Sequence, residues 1–197
     1  MSEPARRAPI DVRVGSTPDA LAPISVAERS LAAGPRQWLG LGLVVGAALI
    51  ADQLTKRIVS SQLSLGDSVD LVGPFTIHHV QNSGIAFGLF SSATAIVIVL
   101  TGAAIVWMAV FFARSGARHP VLPVALGLVM GGSISNLVDR MRLGHVTDFL
   151  DLRWCPAFNL ADSFIVVGVL ILLATLILGE RNPSLGRPAG DAPANRS

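Results

Sequence analysis

The chain has 197 residues, 51% of them hydrophobic and only 14% charged, with a mean hydropathy of +0.60. A soluble domain averages roughly 25% charged residues, so much of this chain is kept from water. The net charge of +2, spread rather than blocked, argues against a nucleic-acid partner, and the single cysteine, Cys155, excludes an intrachain disulfide and a Cys-rich metal cluster.

Residues Met1 to Arg36 are rich in Ala, Pro, Arg and Ser and lack an apolar core, so they read as a solvated tail rather than a signal peptide. The end of the chain, 180–197, has the same character. Between them lie four stretches of the roughly 20 apolar residues that a helix needs to cross a bilayer. They run over about 37–55, 91–112, 120–138 and 158–178. The first is apolar up to Asp52, the second and third are uncharged, and the fourth is interrupted by Asp162. Pro120 and Pro123 fall in the opening turn of the third, where proline is tolerated. None shows the period-two alternation of a membrane barrel strand. The fold expected is therefore all-α, with four transmembrane helices spanning 37–179 and a disordered tail on either side.

The connection from Lys56 to Phe90 is the longest. Val69, Leu71, Phe75 and Ile77 alternate with polar or small residues around Gly73-Pro74, which predicts a hairpin or small β-rich region. Ten basic residues fall in the two tails and the connection between the second and third spans, against five in the other two connections. The positive-inside bias places both termini in the cytoplasm and the acid-bearing ends at the outer face.

Acids inside or beside a span are expensive, and are functional hypotheses by default. Asp52, Asp139, Asp148 and Asp162 all fall toward the outer face in this topology. Asn136 precedes Asp139 by three positions, Arg140 follows Asn136 by four, and Asn159 precedes Asp162 by three. Such spacings share a helix face, aiming amides and acids into one interior. Polar bonding between helices would produce the same pattern. Competing nucleophiles are weaker. Ser83 lies in turn chemistry (Asn82-Ser83-Gly84) near His78 and His79, Cys155 has no adjacent base and reads as a structural thiol, and His145 reads as a solvated loop residue. No HExxH or similar pair is present, so no metal or other cofactor is expected. Residue types alone leave open which carboxylates act, and leave three function classes open. These are a peptidase, a small proton-coupled transporter, and a non-catalytic factor that binds apolar segments.

The motifs themselves resemble one family. Asp52-Gln53-Leu54-Thr55-Lys56 resembles the D-Q-x-[ST]-K segment of lipoprotein signal peptidases (signal peptidase II), and Asn82-Ser83-Gly84-Ile85-Ala86-Phe87 resembles their N-x-G-x-A-F segment. Gly131-Gly132 with Asn136-Leu137-Val138-Asp139-Arg140 resembles GG…GNxxDR. Gly144 to Phe149 resembles G-x-V-x-D-F, and Pro156 to Ser163 resembles P-x-F-N-x-A-D-S. All five occur in family order over about Trp38 to Leu178. Ser135 stands where the family usually has glycine, Ile85 where a small residue is common, and Thr147 where an apolar one is common.

The resemblance implies an aspartic endopeptidase of the bacterial inner (plasma) membrane that cleaves prolipoprotein signal peptides before a lipid-modified cysteine. It also implies Asp148 and Asp162 as the catalytic pair. Asp52, Lys56, Asn82, Gly84, Asn136, Asp139, Arg140, Asn159 and Ala161 are implied as supporting or substrate-binding residues. The partners expected are prolipoproteins and membrane lipid, with the enzyme a monomer.

Overall fold

Each of the four apolar stretches folds as a helix long and apolar enough to cross a membrane. The computed structural model describes residues 32–83, 91–116, 119–152 and 154–180. Helix α1 (Pro35–Gln62) is followed by strands β1 (Ser68–Asp70) and β2 (Thr76–Asn82) and by helices α2 (Ser91–Ser115) and α3 (Leu122–Leu143). Strand β3 (Val146–Asp151) and helix α4 (Leu160–Glu180) complete the order. The expected tails over 1–31 and 181–197, together with Gly84 to Phe87, Arg118 and Arg153, lie outside the described residues.

Three boundaries differ from the sequence expectation, each for a physical reason. Helix α1 continues through Gln62, past the expected end at Thr55. Its buried positions, Leu41, Ala48, Asp52, Lys56 and Val59, keep one helical stripe through the charged residues. Asp52 and Lys56 neutralise each other one turn apart, so the charges extend the helix rather than end it. Helix α3 begins at Leu122, after Pro120, with Pro123 in its first turn. It runs through Leu143 and ends on Gly144, whose φ of +79° is the left-handed conformation that closes helices. Asp139 and Arg140 thus belong to the helix and not to the connection after it. Helix α4 begins at Leu160 because Phe158 exchanges backbone hydrogen bonds with Leu150 of β3.

Helix α3 is the centre of the bundle. Of its most apolar stretch 61% is buried, against 11–17% in the other three helices, which leave most of their surface for lipid. Two glycines permit its close contact with α4. A Cβ on Gly132 would collide with the carbonyl oxygen of Ala161, and one on Gly168 would lie 2.6 Å from that of Ala125. Toward the other end of the bundle, Met108 and Phe112 of α2 join Leu41, Leu126 and Met130 in an apolar core.

The expected hairpin is present, with a third strand added. The sheet has the order β1-β2-β3 and is antiparallel throughout. Strand β3 was not anticipated, because Val146, Thr147, Asp148 and Phe149 are all buried and show no alternation of polar and apolar residues. Between Ile77 and Val80 the register with β3 shifts, and beyond that bulge Val80 faces Asp148 and Asn82 faces Val146. Asn82 is thereby set diagonally beside Asp148.

Replacing Gly168 with leucine is expected to force α3 and α4 apart and lower stability by about 1–3 kcal/mol, the usual cost of overpacking. Leucine at Gly46, where a Cβ meets nothing within 4 Å, should have little effect. Thermal unfolding of both variants in the same detergent checks the contrast.

Candidate active site

The sheet closes over the end of the bundle where α1 and α3 finish and α4 begins. Here the structure brings together Asp52, Lys56, Asn82, Asn136, Asp139, Asp148, Asn159, Ala161 and Asp162. Asp52, Lys56, Asn136, Asp139, Asp148, Asn159 and Ala161 are all at most 6% exposed.

One half of the cluster is organised by Lys56. Its Nζ lies 2.7 Å from Asp52 Oδ2, 2.7 Å from Asp139 Oδ2, and donates to Asn136 Oδ1 at 2.9 Å. One hydrogen bond and two close carboxylate contacts thus surround it, the compensation that an ammonium buried this deeply requires. Each of the two acids then ties a further element in. Asp52 Oδ1 accepts the backbone N–H of Ala161, in the first turn of α4, at 2.8 Å, and its Oδ2 accepts Ser135 Oγ at 2.7 Å. A carboxylate from α1 therefore sits at the electropositive start of α4. Asp139 Oδ1 accepts Gln53 Nε2 at 2.8 Å, and the same amide donates to Ser135 Oγ at 2.9 Å.

The other half contains Asp148 and Asp162, whose oxygens are met by neutral N–H groups. Asp148 Oδ1 accepts Asn159 Nδ2 at 2.7 Å, and its Oδ2 accepts Asn82 Nδ2 at 2.8 Å. Asp162 Oδ1 accepts Asn136 Nδ2 at 2.8 Å, and its Oδ2 accepts the backbone N–H of Asn159 at 3.2 Å. Asn159 Oδ1 in return accepts the backbone N–H of Asp162 at 3.0 Å. This reciprocal pair is a capping box, with Asn159 preceding the helix and Asp162 closing its first turn. The expectation that Asn159 and Asp162 share a helix face is corrected accordingly. The same amide that starts α4 reaches Asp148 on β3, and Asn159 Nδ2 also donates to Asn136 Oδ1 at 3.2 Å.

These contacts fix the amide orientations. The oxygen of Asn136 faces Lys56 Nζ and the oxygen of Asn159 faces a backbone N–H, so both NH2 groups must turn toward the carboxylates. Burial raises the pKa of Asp148 above the ordinary carboxylate range. The hydrogen bonds from Asn82 and Asn159 oppose the rise, the charge of Asp162 adds to it, and the charge of Lys56 lowers it.

The remaining candidates fall elsewhere. Arg140 bonds the carbonyl of Asn136 at 3.4 Å and forms no ion pair with Asp139. His78 faces Asp151, His79 bonds the carbonyl of Leu63, and Ser83 is exposed. Cys155, expected as a structural thiol, is exposed and apart from the cluster. Two participants, Gln53 and Ser135, were not among the candidate site residues. Gln53 shares one face of α1 with Lys56, three positions on. Ser135 is fully buried and bridges Asp52 and Gln53 across the helices, a place that glycine would leave without a polar group.

With this geometry in place, comparison with known proteins decides the relationship. The family model described as signal peptidase (SPase) II matches residues 44–178, most of the membrane-spanning part. The chain belongs to the signal peptidase II family. Among curated relatives, the lipoprotein signal peptidase of Symbiobacterium thermophilum is 37% identical over 139 residues, covering 68% of this chain and 91% of the relative. That of Pelotomaculum thermopropionicum is 39% identical over 145 residues, covering 73% and 95%. Two solved structures of a bacterial membrane enzyme, obtained by the in meso method at 2.3 and 1.9 Å resolution, share the fold. They match with TM-scores of 0.68 and 0.66 at 27% and 28% identity, over 75% and 70% of this chain and over 93% and 92% of theirs. The signal peptidase II family is one of membrane aspartic peptidases, which turns attention to the carboxylates. The comparisons offer no support for the transporter alternative.

Lys56→Met is expected to leave Asp52 and Asp139 buried without a cation and to cost about 3–5 kcal/mol of stability. The corresponding loss of thermal stability in detergent is the check; an unchanged melting temperature would mean that the acids are compensated by other groups.

Proposed function

We propose that this protein removes signal peptides from lipid-modified prolipoproteins, cleaving before the diacylglyceryl cysteine, with Asp148 and Asp162 as the catalytic pair. The observation that carries the assignment is the division of the acids. Asp52 and Asp139 share Lys56, whereas Asp148 and Asp162 are held by Asn82, Asn136 and Asn159. A carboxylate locked against a buried ammonium is committed to its charge, and exchanging its proton would break the pair. A carboxylate held by amides has no such partner and is able to trade a proton. Sequence reasoning left Asp139 and Asp148 equivalent until the family resemblance was invoked. The ion pairing gives an independent reason to prefer Asp148.

Two carboxylates held in one network resist ionising together and share a proton. The ionised member takes a proton from water as general base, and the water oxygen attacks the scissile carbonyl. The protonated member donates to the carbonyl oxygen as negative charge develops on it. Collapse of the tetrahedral intermediate returns a proton to the departing amine. The titration belongs to the pair, and neither residue is assigned the base. The Asn159 and Asn136 side chains hold both carboxylates in place while the proton moves between states.

In this reading the enzyme is a monomer of the bacterial inner membrane, with both termini in the cytoplasm and the sheet at the outer face. The basic residues of the tails and of the α2–α3 connection support that orientation. A substrate signal helix lying in the bilayer would then present its cleavage site at the depth of the pair. Gly84 and its neighbours are proposed to contact substrate.

Asp148→Asn and Asp162→Asn are each expected to insert and fold but to abolish cleavage of a lipid-modified prolipoprotein, since asparagine fills the space yet accepts no proton. Asp139→Asn should instead lower stability while retaining measurable cleavage. Purified variants assayed side by side for turnover and melting temperature test this division. Full activity in either dyad variant would remove that residue from the chemistry.

A second expectation concerns pH. Asn82 donates to the ionised form of Asp148 and so opposes the rise in its pKa. Removing that bond with Asn82→Ala favours the protonated form further. The acidic limb of the kcat/KM profile should therefore move to higher pH. A limb that stays in place or moves to lower pH would contradict the role given to Asn82.

A further inference from the structure

Two recesses lie against α1. The first has a volume of about 170 Å³ and lies between the ends of α1 and α3; its walls include Gln53, Lys56, Arg57, Ser60, Asp139 and Arg142. The second, of about 220 Å³, follows α1 into the bundle's lipid-facing surface and is lined by Leu49, Ile50, Gln53, Leu54 and Arg57. Gln53 and Arg57 line both, so the two recesses adjoin and make a groove that is polar at the sheet end and apolar below.

The charges of the polar recess are unequal. Asp139 is already committed to Gln53 and Lys56, and Lys56 to Asp52, Asn136 and Asp139. Arg57 and Arg142 are exposed, and no carboxylate among the described residues pairs with either. Two arginines lining one recess suit a phosphodiester, which accepts forked N–H donors. The apolar recess supplies the other half of such a ligand. Ile50, Leu54 and Arg57 recur at helical spacing on one face of α1, and Ile50 and Leu54 are 59% and 52% exposed. From Leu49 to Arg57 the helix rises about 12 Å, within the roughly 15 Å depth of one leaflet.

We propose that this groove binds one anionic phospholipid, its phosphate held by Arg57 and Arg142 and one acyl chain lying along Leu49, Ile50 and Leu54. The diacylglyceryl group of a substrate would bring acyl chains but no phosphate, and so leaves the arginines unmatched. Bound here, the lipid lies against the Lys56–Asp139 pair and fixes the height of the sheet end at the membrane surface. The site does not depend on the proposed cleavage reaction.

Native mass spectrometry of the full-length protein, released from micelles with equal phosphatidylglycerol and phosphatidylcholine, tests the proposal. The wild-type protein is expected to retain one phosphatidylglycerol in preference to phosphatidylcholine by about tenfold or more. The double variant Arg57→Gln/Arg142→Gln should lose that preference, and Arg114→Gln, at the other end of the bundle, should keep it. Thermal unfolding of each variant in detergent confirms that the fold is retained. An unchanged preference in the double variant overturns the site. Displacement of the lipid by millimolar inorganic phosphate would make it a site for free phosphate, and displacement by a diacylglyceryl-cysteine peptide would make it part of the substrate site; either result overturns the proposal.

Discussion

Lys56 is 4% exposed in a bundle whose outer surfaces face lipid, and an ammonium in that position must be answered by groups brought from other elements. It is answered by Asp52 from its own helix and by Asn136 and Asp139 from α3. Those partners in turn fix the rest. Asp52 holds the first turn of α4, Asn136 holds Asp162, and Asp139 and Ser135 hold Gln53. The positions of three helices at this end of the molecule follow from satisfying one buried cation. Because these side chains are buried, each bond among them is stronger than its equivalent in water, and each missing partner would be correspondingly costly.

The same constraint divides the acids into two kinds. Lys56 is surrounded by Asp52, Asp139 and Asn136, and among the described residues it forms no ion pair with Asp148 or Asp162. Asn136 is the link between the halves, since its oxygen accepts from Lys56 while its NH2 group donates to Asp162. Asn159 has a corresponding double role. Its backbone and side chain start α4, and its NH2 group extends to Asp148 on β3. Helix capping and the placement of the proposed catalytic pair are thus one set of bonds, so a substitution at Asn159 disturbs both together. We regard Ser135 as an added brace on the same network, specific to a chain that carries a hydroxyl at that position.

Much of this was legible in the sequence. The four spans could be read because lipid-facing helices must be apolar over their whole length, and the hairpin because Val69, Leu71, Phe75 and Ile77 alternate around a Gly-Pro turn. The helix ends were harder. Hydropathy stops at Asp52 and at Val138, whereas the helices continue, since paired charges are compatible with both burial and helix. Strand β3 was missed because burial on both faces removes the period of two, leaving Val146 to Phe149 without a signature. The choice of Asp148 over Asp139 was invisible to residue type and spacing. It depends on where Lys56 points, and only the helix packing sets that. Asn159 was noted for its spacing to Asp162, but a spacing of three suits a capping box as well as a shared face.

The central claim is that Lys56 leaves one pair of carboxylates able to share a proton. Infrared difference spectroscopy of the purified protein near neutral pH, read in the carbonyl band of protonated carboxylic acids, tests it most directly. The account predicts one protonated carboxyl in the resting protein, absent in Asp148→Asn and present in Asp139→Asn. A band that survives the first substitution and disappears with the second would place the shared proton on the Lys56 side of the cluster and contradict the account.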